Sequence, residues 1–250
     1  ILIPLILWNI PLVFVVFIVQ KYGLISHNFS AQLYPVDFRH WLDATVGVFN
    51  APINYPLNFL RDLFTVALLA PFLGMFLKKS PYLGLILVLV VYQFNLDGYW
   101  IIRNSMLVTF YLGGMAFYLN WDLTILDKHA KPLTILFIAI CACIVIFDIE
   151  NRELFRLISP LMVWPAISLF INTRFGHFLE KNSKYSFFTF LAHGPIILVL
   201  WIIFKKLPLE QFYMVYWLTA PVITVYLCIF LCRYFKLLFP KFSSIALGGR

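Results

Sequence analysis

Four polar residues fall on one predicted helical face at the start of a long apolar run. They are spaced at i, i+3, i+4 and i+7: Asn58, Arg61, Asp62 and Thr65. The run then continues to Leu77 without a further charge. Charged groups are costly in a membrane, so those found there usually pair, face a water-filled cavity or take part in chemistry. The pattern makes Arg61 and Asp62 candidate catalytic residues and Asn58 a candidate substrate-binding residue.

The two charged residues of this face, Arg61 and Asp62, are neighbours in the chain. Residues i and i+1 do not face each other on a helix, so we expect each of them to reach a different partner. The alternative without a functional role is an interfacial cation beside a helix-start carboxylate, which the helix dipole favours.

A second polar stripe lies in the apolar segment 185–204. Ser186, Thr189 and His193 stand at i, i+3 and i+7, and Gly194-Pro195 follows directly. A proline frees a carbonyl one turn earlier, which we expect a neighbouring span or the histidine to satisfy. Two interpretations of His193 stay open: a candidate catalytic residue in a functional site, with Ser186 as a substrate-binding partner, or a hydrogen-bonded packing histidine.

Arg103 opens the apolar segment 100–119, close to Trp100. It is a third candidate for substrate binding. A snorkelling arginine beside an aromatic residue of the membrane interface is the slightly favoured alternative.

The composition determines the fold class. Of the 250 residues, 62% are hydrophobic and 12% are charged, and the mean hydropathy is +0.90. Soluble domains carry roughly 25% charged residues, so this chain is predicted to be embedded in a membrane. The apolar runs are continuous rather than alternating, which predicts an all-α, polytopic transmembrane helix bundle rather than a barrel.

About eight spans are predicted in a single membrane domain covering residues 1–250. Their approximate bounds are 1–20, 59–77, 82–96, 100–119, 132–148, 154–172, 185–204 and 212–235. The long loop 21–57 is rich in aromatic residues, and we expect it to fold over the outer mouth of the bundle rather than to form a disordered linker.

Basic residues set the predicted orientation. Alternating the spans collects most of the 19 lysines and arginines on the side that includes residues 236–250. The positive-inside rule therefore predicts a cytosolic C-terminus, with basic residues meeting membrane lipids there.

No metal or nucleic-acid partner is expected. The four cysteines all lie in predicted spans without ligand-like neighbours and are interpreted as small core residues: Cys141, Cys143, Cys228 and Cys232.

Three motifs resemble those of the acyltransferase 3 family of integral membrane proteins. Residues 56–63, PLNFLRDL, resemble the family's PLWFLRDL motif, with Asn58 in place of the usual tryptophan. Residues 185–195, YSFFTFLAHGP, resemble its late YSFFIFLLHGP motif, and residues 2–8, LIPLILW, resemble its LLIPYLLW motif. The order and spacing of the three motifs agree with the family over nearly the whole chain.

The resemblance implies a bacterial enzyme of the cytoplasmic membrane. It implies transfer of an acyl group, acetyl by default, from cytosolic acyl-CoA to a hydroxyl of a cell-surface glycan or a lipid-linked saccharide. It also implies that the family's catalytic histidine and a donor-handling arginine pair lie upstream of Ile1, in an N-terminal part missing here. His193 matches the late motif only, so the family's catalytic role does not pass to it.

Two other functions remain open on the sequence alone. A transporter or flippase for a lipid-linked saccharide would use the same intramembrane polar residues without covalent chemistry. A non-catalytic subunit of a membrane assembly would need none of them.

Overall fold

A computed structural model describes residues 1–23, 31–96, 98, 100–207 and 210–249. Within these ranges the chain forms helices and no strand, which confirms the all-α prediction. The α-helices are α1 (Leu2–Lys21), α2 (Phe38–Val46), α3 (Asn58–Lys79), α4 (Pro81–Gln93), α5 (Ser105–Tyr118), α6 (Ala130–Ile146), α7 (Glu153–Val163), α8 (Arg174–Asn182), α9 (Ser186–Lys206), α10 (Tyr213–Leu238) and α11 (Pro240–Ala246). Short 3₁₀ turns occupy Tyr55–Leu57, Leu123–His129, Trp164–Leu169, Ser183–Tyr185 and Glu210–Phe212.

Five helical stretches of the described chain are long and apolar enough to cross a membrane. They are Leu2–Lys21, Tyr55–Lys79, Leu123–Ile146, Arg174–Lys206 and Tyr213–Leu238. The predicted spans 82–96 and 100–119 correspond to the shorter apolar helices α4 and α5. The count of eight full-length spans is therefore only approximate.

The predicted span 154–172 is not one continuous helix. Helix α7 ends at Val163, and a 3₁₀ turn follows from Trp164 to Leu169. Pro165 has no N–H to donate, and its ring crowds the carbonyl one turn earlier, which weakens the α-helix at the point where the 3₁₀ turn begins. An apolar run alone did not reveal this break.

The chain divides into two compact units. Unit 1 comprises Ile1–Phe64 and Asn182–Arg250, and unit 2 comprises Thr65–Lys181. The single-domain interpretation of residues 1–250 stays a prediction.

In unit 1, α9 packs against α10, and α11 packs against both α1 and α10. The Trp8 indole N–H donates to the carbonyl of Ala246 over 3.2 Å, which holds α11 against α1. Leu5, Leu60, Leu191 and Cys228 are buried in the same apolar core. This core surrounds the polar residues described below.

The described part of the 21–57 loop folds onto α1, whereas residues 24–30 of that loop lie outside the described ranges. Helix α2 contacts α1, and Trp41 packs edge-on against Phe14 and Phe17. Gln20 donates to the carbonyl of Ala31 over 2.7 Å. The described part of the loop thus packs on α1, whereas its predicted place over the outer mouth of the bundle stays a prediction.

In unit 2, α4 approaches α5 closely at Gly84. The Tyr111 hydroxyl donates to the carbonyl of Pro81 over 3.0 Å, and a Cβ at position 84 would lie 1.9 Å from the hydroxyl oxygen. Next to this contact is an apolar hollow of about 390 Å³, lined by residues of α3, α4 and α5 and by Trp100 and Ile101.

Candidate functional site

The start of α3 buries three polar side chains in unit 1. The exposed fractions are 1% for Asn58, 8% for Arg61 and 0% for Asp62, whereas Phe59 is 44% exposed. Thr65, the fourth residue of the predicted face, is half-buried. The helical spacing therefore brings Asn58, Arg61 and Asp62 together on a buried side of the helix, as predicted.

Arg61 and Asp62 form an ion pair with each other. Arg61 Nη1 lies 3.0 Å from Asp62 Oδ1, so the expectation that the two residues do not pair is wrong. The arginine stem is long enough to bring its guanidinium back to a carboxylate on the next residue. The same guanidinium also reaches the chain before α3, since its Nε donates to the carbonyl of Gly47 over 2.8 Å and its Nη2 lies 3.5 Å from that of Val48.

The turn after α2 presents these carbonyls because of its backbone geometry. Gly47 ends α2 in the left-handed region, with a φ of 77°, and a Cβ there would lie 2.7 Å from Cδ of Pro52. Asp43 accepts hydrogen bonds from the backbone N–H groups of Phe49 and Asn50, at 2.6 and 2.9 Å, and from the Asn50 amide at 2.7 Å. The conformation of the turn is therefore fixed both by the close approach of Gly47 to Pro52 and by the hydrogen bonds to Asp43.

The pKa of Asp43 reflects this arrangement. Burial by itself would raise the pKa of the carboxyl, but the hydrogen bonds from Asn50 and Phe49 and the charge of Arg39 favour the ionised form more strongly. The net effect is that the pKa lies below its usual value.

Asn58 is buried without a hydrogen bond to its side chain. Neither its amide nitrogen nor its amide oxygen has a partner among the described residues. A buried polar group without a partner costs about 1–3 kcal/mol of stability, so native proteins keep few of them. This amide can offer one donor and one acceptor to another molecule.

Two further buried asparagines link the helices of unit 1. Asn9 in α1 donates to the carbonyls of Leu5 and Thr45, at 2.9 and 2.8 Å, and its oxygen accepts from the N–H of Asn54 over 3.0 Å. Asn54 in turn donates to the carbonyl of Leu191 in α9 over 3.1 Å. This polar network therefore connects α1, α2, the segment before α3, and α9.

Asn9 and Asn54 were not among the functional residues predicted from the sequence. A signal for Asn9 was present, because it is the one amide side chain in the otherwise apolar stretch from Ile1 to Val19. Asn54 lies in the loop and has no periodic context, so its partner in a helix 137 positions later could not be predicted.

Asn54 explains how α9 tolerates its proline. Pro195 cannot donate to the carbonyl of Leu191, four residues earlier, and this is the carbonyl that Asn54 satisfies. Gly194 permits the close approach, because a Cβ there would lie 2.7 Å from the Asn54 side-chain oxygen. The donor is thus a residue of the loop before α3, and not a neighbouring span or His193, the two sources that the sequence led us to expect.

His193 lies half-buried on the same helix. Its Nδ1 is 3.1 Å from the carbonyl of Thr189 and 2.8 Å from that of Phe190. Because carbonyls only accept, Nδ1 carries the proton, and Nε2 is the acceptor in the neutral ring.

The other two candidates, Ser186 and Arg103, are both exposed. Ser186 is exposed at the first residue of α9, about 10 Å along the helix axis from His193. Arg103 is exposed in unit 2, just before α5. Their predicted substrate contacts stay predictions, as do the roles of Asn58, Arg61, Asp62 and His193.

The described residues contain no group of three or more His, Cys, Asp or Glu side chains that could hold a metal ion. The polar groups that these residues contribute are amides, a guanidinium, a carboxylate and an imidazole.

A family model described as an acyltransferase domain matches residues 1–233. The chain belongs to the acyltransferase 3 family. Over 261 aligned residues it is 27% identical to the succinoglycan biosynthesis protein ExoH of Rhizobium meliloti (strain 1021), and the match covers 100% of this chain and 70% of that protein. No solved structure matches the chain.

Family membership confirms the prediction from the three motifs. This acyltransferase is an integral membrane O-acyltransferase with an all-α fold. The buried residues Asn58, Arg61 and Asp62 lie in the motif at the start of α3. The Leu191 carbonyl that Asn54 satisfies lies in the motif of α9.

Proposed function

We propose that this acyltransferase moves an acyl group, acetyl by default, from cytosolic acyl-CoA to a hydroxyl of a cell-surface polysaccharide or its lipid-linked saccharide precursor. Family membership supports the reaction class. The name of the relative from Rhizobium meliloti, which refers to succinoglycan biosynthesis, supports a glycan acceptor. The predicted location is the bacterial cytoplasmic membrane with the C-terminus in the cytosol.

The buried, unpartnered amide of Asn58 is the observation that carries a substrate site at the start of α3. A sugar hydroxyl both donates and accepts hydrogen bonds, and so does an amide. Acyl transfer also needs a donor for the negative charge that develops on the thioester oxygen. We assign Asn58 to binding either the acceptor hydroxyl or this oxygen through its amide.

Arg61 and Asp62 are proposed to position Asn58. The guanidinium is held between the Asp62 carboxylate and the carbonyls of the turn after α2. These contacts fix the first turn of α3, where Asn58 lies, against the preceding loop. Catalytic groups must be held accurately, because small displacements of reacting groups cost large factors in rate.

His193 is proposed as a polar contact to the acceptor through Nε2. Because Nδ1 is hydrogen-bonded to the carbonyls of Thr189 and Phe190 in α9, Nε2 is the nitrogen that can accept a hydrogen bond from the acceptor. The family resemblance assigns the general base to a residue other than the five histidines of this chain, so we do not assign that role to His193.

Membranes containing the protein would be incubated with acetyl-CoA labelled in the acetyl carbonyl and with the polysaccharide of the source organism. The proposal predicts label in the glycan fraction that mild alkali releases, as an ester requires. Membranes without the protein are the control. Label that is absent from the glycan, or that survives alkali, would overturn the proposal.

A further inference from the structure

Two cationic side chains, those of Lys184 and Arg233, lie against the ring of Tyr185 in unit 1. Arg233 in α10 donates from Nε to the Tyr185 hydroxyl over 3.1 Å, and its guanidinium carbon lies 5.4 Å from the ring centroid. The ammonium nitrogen of Lys184 lies 5.3 Å from the same centroid. Two positive charges are therefore gathered at one aromatic side chain.

The ring is a fixed platform rather than a surface side chain. Tyr185 is 8% exposed and belongs to the core cluster that also contains Phe188, Cys232 and Leu247. Lys184 and Arg233 are both exposed, so their charged groups are accessible while the ring beneath them is held in place.

The cluster has an uncompensated positive charge. Across the described residues, neither Lys184 nor Arg233 forms an ion pair with a carboxylate. The only other charged residue of α10 is Lys236, one turn after Arg233. An anion bound beside the Tyr185 ring would be attracted by both of these charges.

Phosphate is the anion that such a pair recognises best. A guanidinium presents a fork of N–H donors that matches phosphate oxygens, and an ammonium adds a mobile point charge. The hydrogen bond from Arg233 Nε to the Tyr185 hydroxyl fixes the orientation of the guanidinium. The two terminal nitrogens of the guanidinium then serve as donors.

We propose that Lys184, Tyr185 and Arg233 form a phosphate-binding site for the nucleotide end of the acyl-CoA donor. This choice of ligand rests on the proposed function. A phospholipid headgroup carries the same chemistry at the membrane surface, and the experiment distinguishes the two sources.

The test uses the purified protein in nanodiscs, which leave both faces accessible. Adenosine 3′,5′-bisphosphate is the soluble probe, with nanodiscs of phosphatidylcholine alone for the first measurement. We expect Arg233→Gln and Lys184→Gln each to weaken probe binding about tenfold, the loss of one charge-assisted contact. Lys205→Gln is the matched control, because Lys205 lies 5.1 Å from the ring centroid of Trp201 near the other end of α9.

A second measurement compares nanodiscs with and without phosphatidylglycerol. If the soluble probe does not bind but Arg233→Gln abolishes enrichment of phosphatidylglycerol around the protein, the site is a phosphate site for lipid. If neither Arg233→Gln nor Lys184→Gln changes the binding of the soluble probe or the enrichment of phosphatidylglycerol, the proposal is overturned. Lys184 is exposed, so its variant is expected to fold even where Arg233→Gln loses its contact with Tyr185.

Kinetics separate this inference from the proposed function. If acyl transfer occurs, Arg233→Gln should raise KM for acyl-CoA about tenfold with kcat little changed, and an unchanged KM would refute the CoA site. If acyl transfer does not occur but the probe binds in the predicted way, the proposed function fails and the phosphate site stands.

Discussion

Asn58 stands where the family motif usually has a tryptophan, and it is the buried side chain for which the described residues provide no partner. A structural asparagine would be expected to stabilise the fold through its hydrogen bonds, as Asn9 does. A substrate-binding asparagine instead costs stability in the free protein. Thermal stability and activity together therefore distinguish the two roles.

Asn58→Leu should stabilise the protein and inactivate it. Leucine has the same branched arrangement of side-chain heavy atoms and no polar atoms, so the substitution removes a desolvation cost of about 1–3 kcal/mol. We expect a rise of about 2–4 °C per kcal/mol in the Tm of the detergent-solubilised protein. Acyl transfer should fall about 100-fold, as when one oxyanion donor is removed.

Asn9→Leu is the matched control for Asn58→Leu. Asn9 is equally buried, but its amide makes three hydrogen bonds. Its replacement should therefore lower the Tm. A lower Tm for Asn58→Leu as well would mean that Asn58 has a structural partner and would contradict the substrate role.

Arg61→Met should cause a large loss of stability. The Asp62 carboxylate is 0% exposed, and removing the partner of a buried charge costs about 3–5 kcal/mol. Adding Asp62→Leu should recover most of that loss, because no unpaired charge remains. Thermal unfolding of the single and double variants measures both effects.

The exposed pair of Arg156 with Glu153 provides the comparison, since both side chains are more than half exposed. Arg156→Met should cost no more than about 1 kcal/mol. Equal effects of Arg61→Met and Arg156→Met would show that the Arg61 pair is not buried as described.

Arg61→Lys should not have the activity of the wild-type protein, because an ammonium cannot reproduce the fork of N–H donors that spans Asp62 and the Gly47 carbonyl.

At the scale of the elements, the proline of α9 and the loop before α3 are coupled. The carbonyl of Leu191 lacks a helical donor because of Pro195, and Asn54 replaces that donor. Asn54→Ala should therefore cost about 1–3 kcal/mol in the native protein. In a Pro195→Ala background, where residue 195 can donate its own N–H, the same substitution should cost less.

This coupling is measured as a double-mutant cycle of thermal unfolding. The expected interaction energy is at least about 0.5 kcal/mol, which is the level seen for residues that share a hydrogen-bonded group. Additive effects of Asn54→Ala and Pro195→Ala would mean that Asn54 does not act on the freed carbonyl.

The turn after α2 should open in acid. Because the pKa of Asp43 is lowered in the folded state, its stabilising effect is complete above the unfolded pKa of about 3.9 and is lost as the pH falls through the lower folded value. Hydrogen exchange of the amides of Phe49 and Asn50, corrected for intrinsic rates, should lose protection over this pH range. Asp43→Asn should remove the pH dependence, and unchanged wild-type protection down to pH 2 would contradict the account.

The sequence predicted some elements better than others, for physical reasons. The start of α3 and the polar stripe of α9 were predictable because helical periodicity places residues three and four apart on one side. The Arg61–Asp62 pair was not, since side-chain length overrides the rule that neighbours point apart. The break after α7 was missed because an apolar run has the same composition whether the backbone is α-helical or 3₁₀.

At the scale of the whole molecule, the composition predicted a membrane protein, the continuous apolar runs predicted an all-α fold, and the motifs predicted the family. The linkage of α1, the loop before α3 and α9 through Asn9 and Asn54 could not be predicted, because it joins positions that are distant in the chain. Charge bias predicts the orientation, with the basic C-terminal end in the cytosol, and the proposed phosphate site at Arg233 belongs to that end.

The most direct test of the account is the O-acyl content of the polysaccharide made by living cells. A strain lacking the gene would be complemented with the wild-type protein or with Asn58→Leu, and the polysaccharide would be quantified and its ester-linked acyl groups measured by NMR. The account predicts the same amount of polysaccharide in both strains, with its acyl groups lost in the Asn58→Leu strain. Unchanged acylation in the variant, or normal acylation of a much smaller amount of exported polysaccharide, would contradict it, and the latter result would favour a transporter.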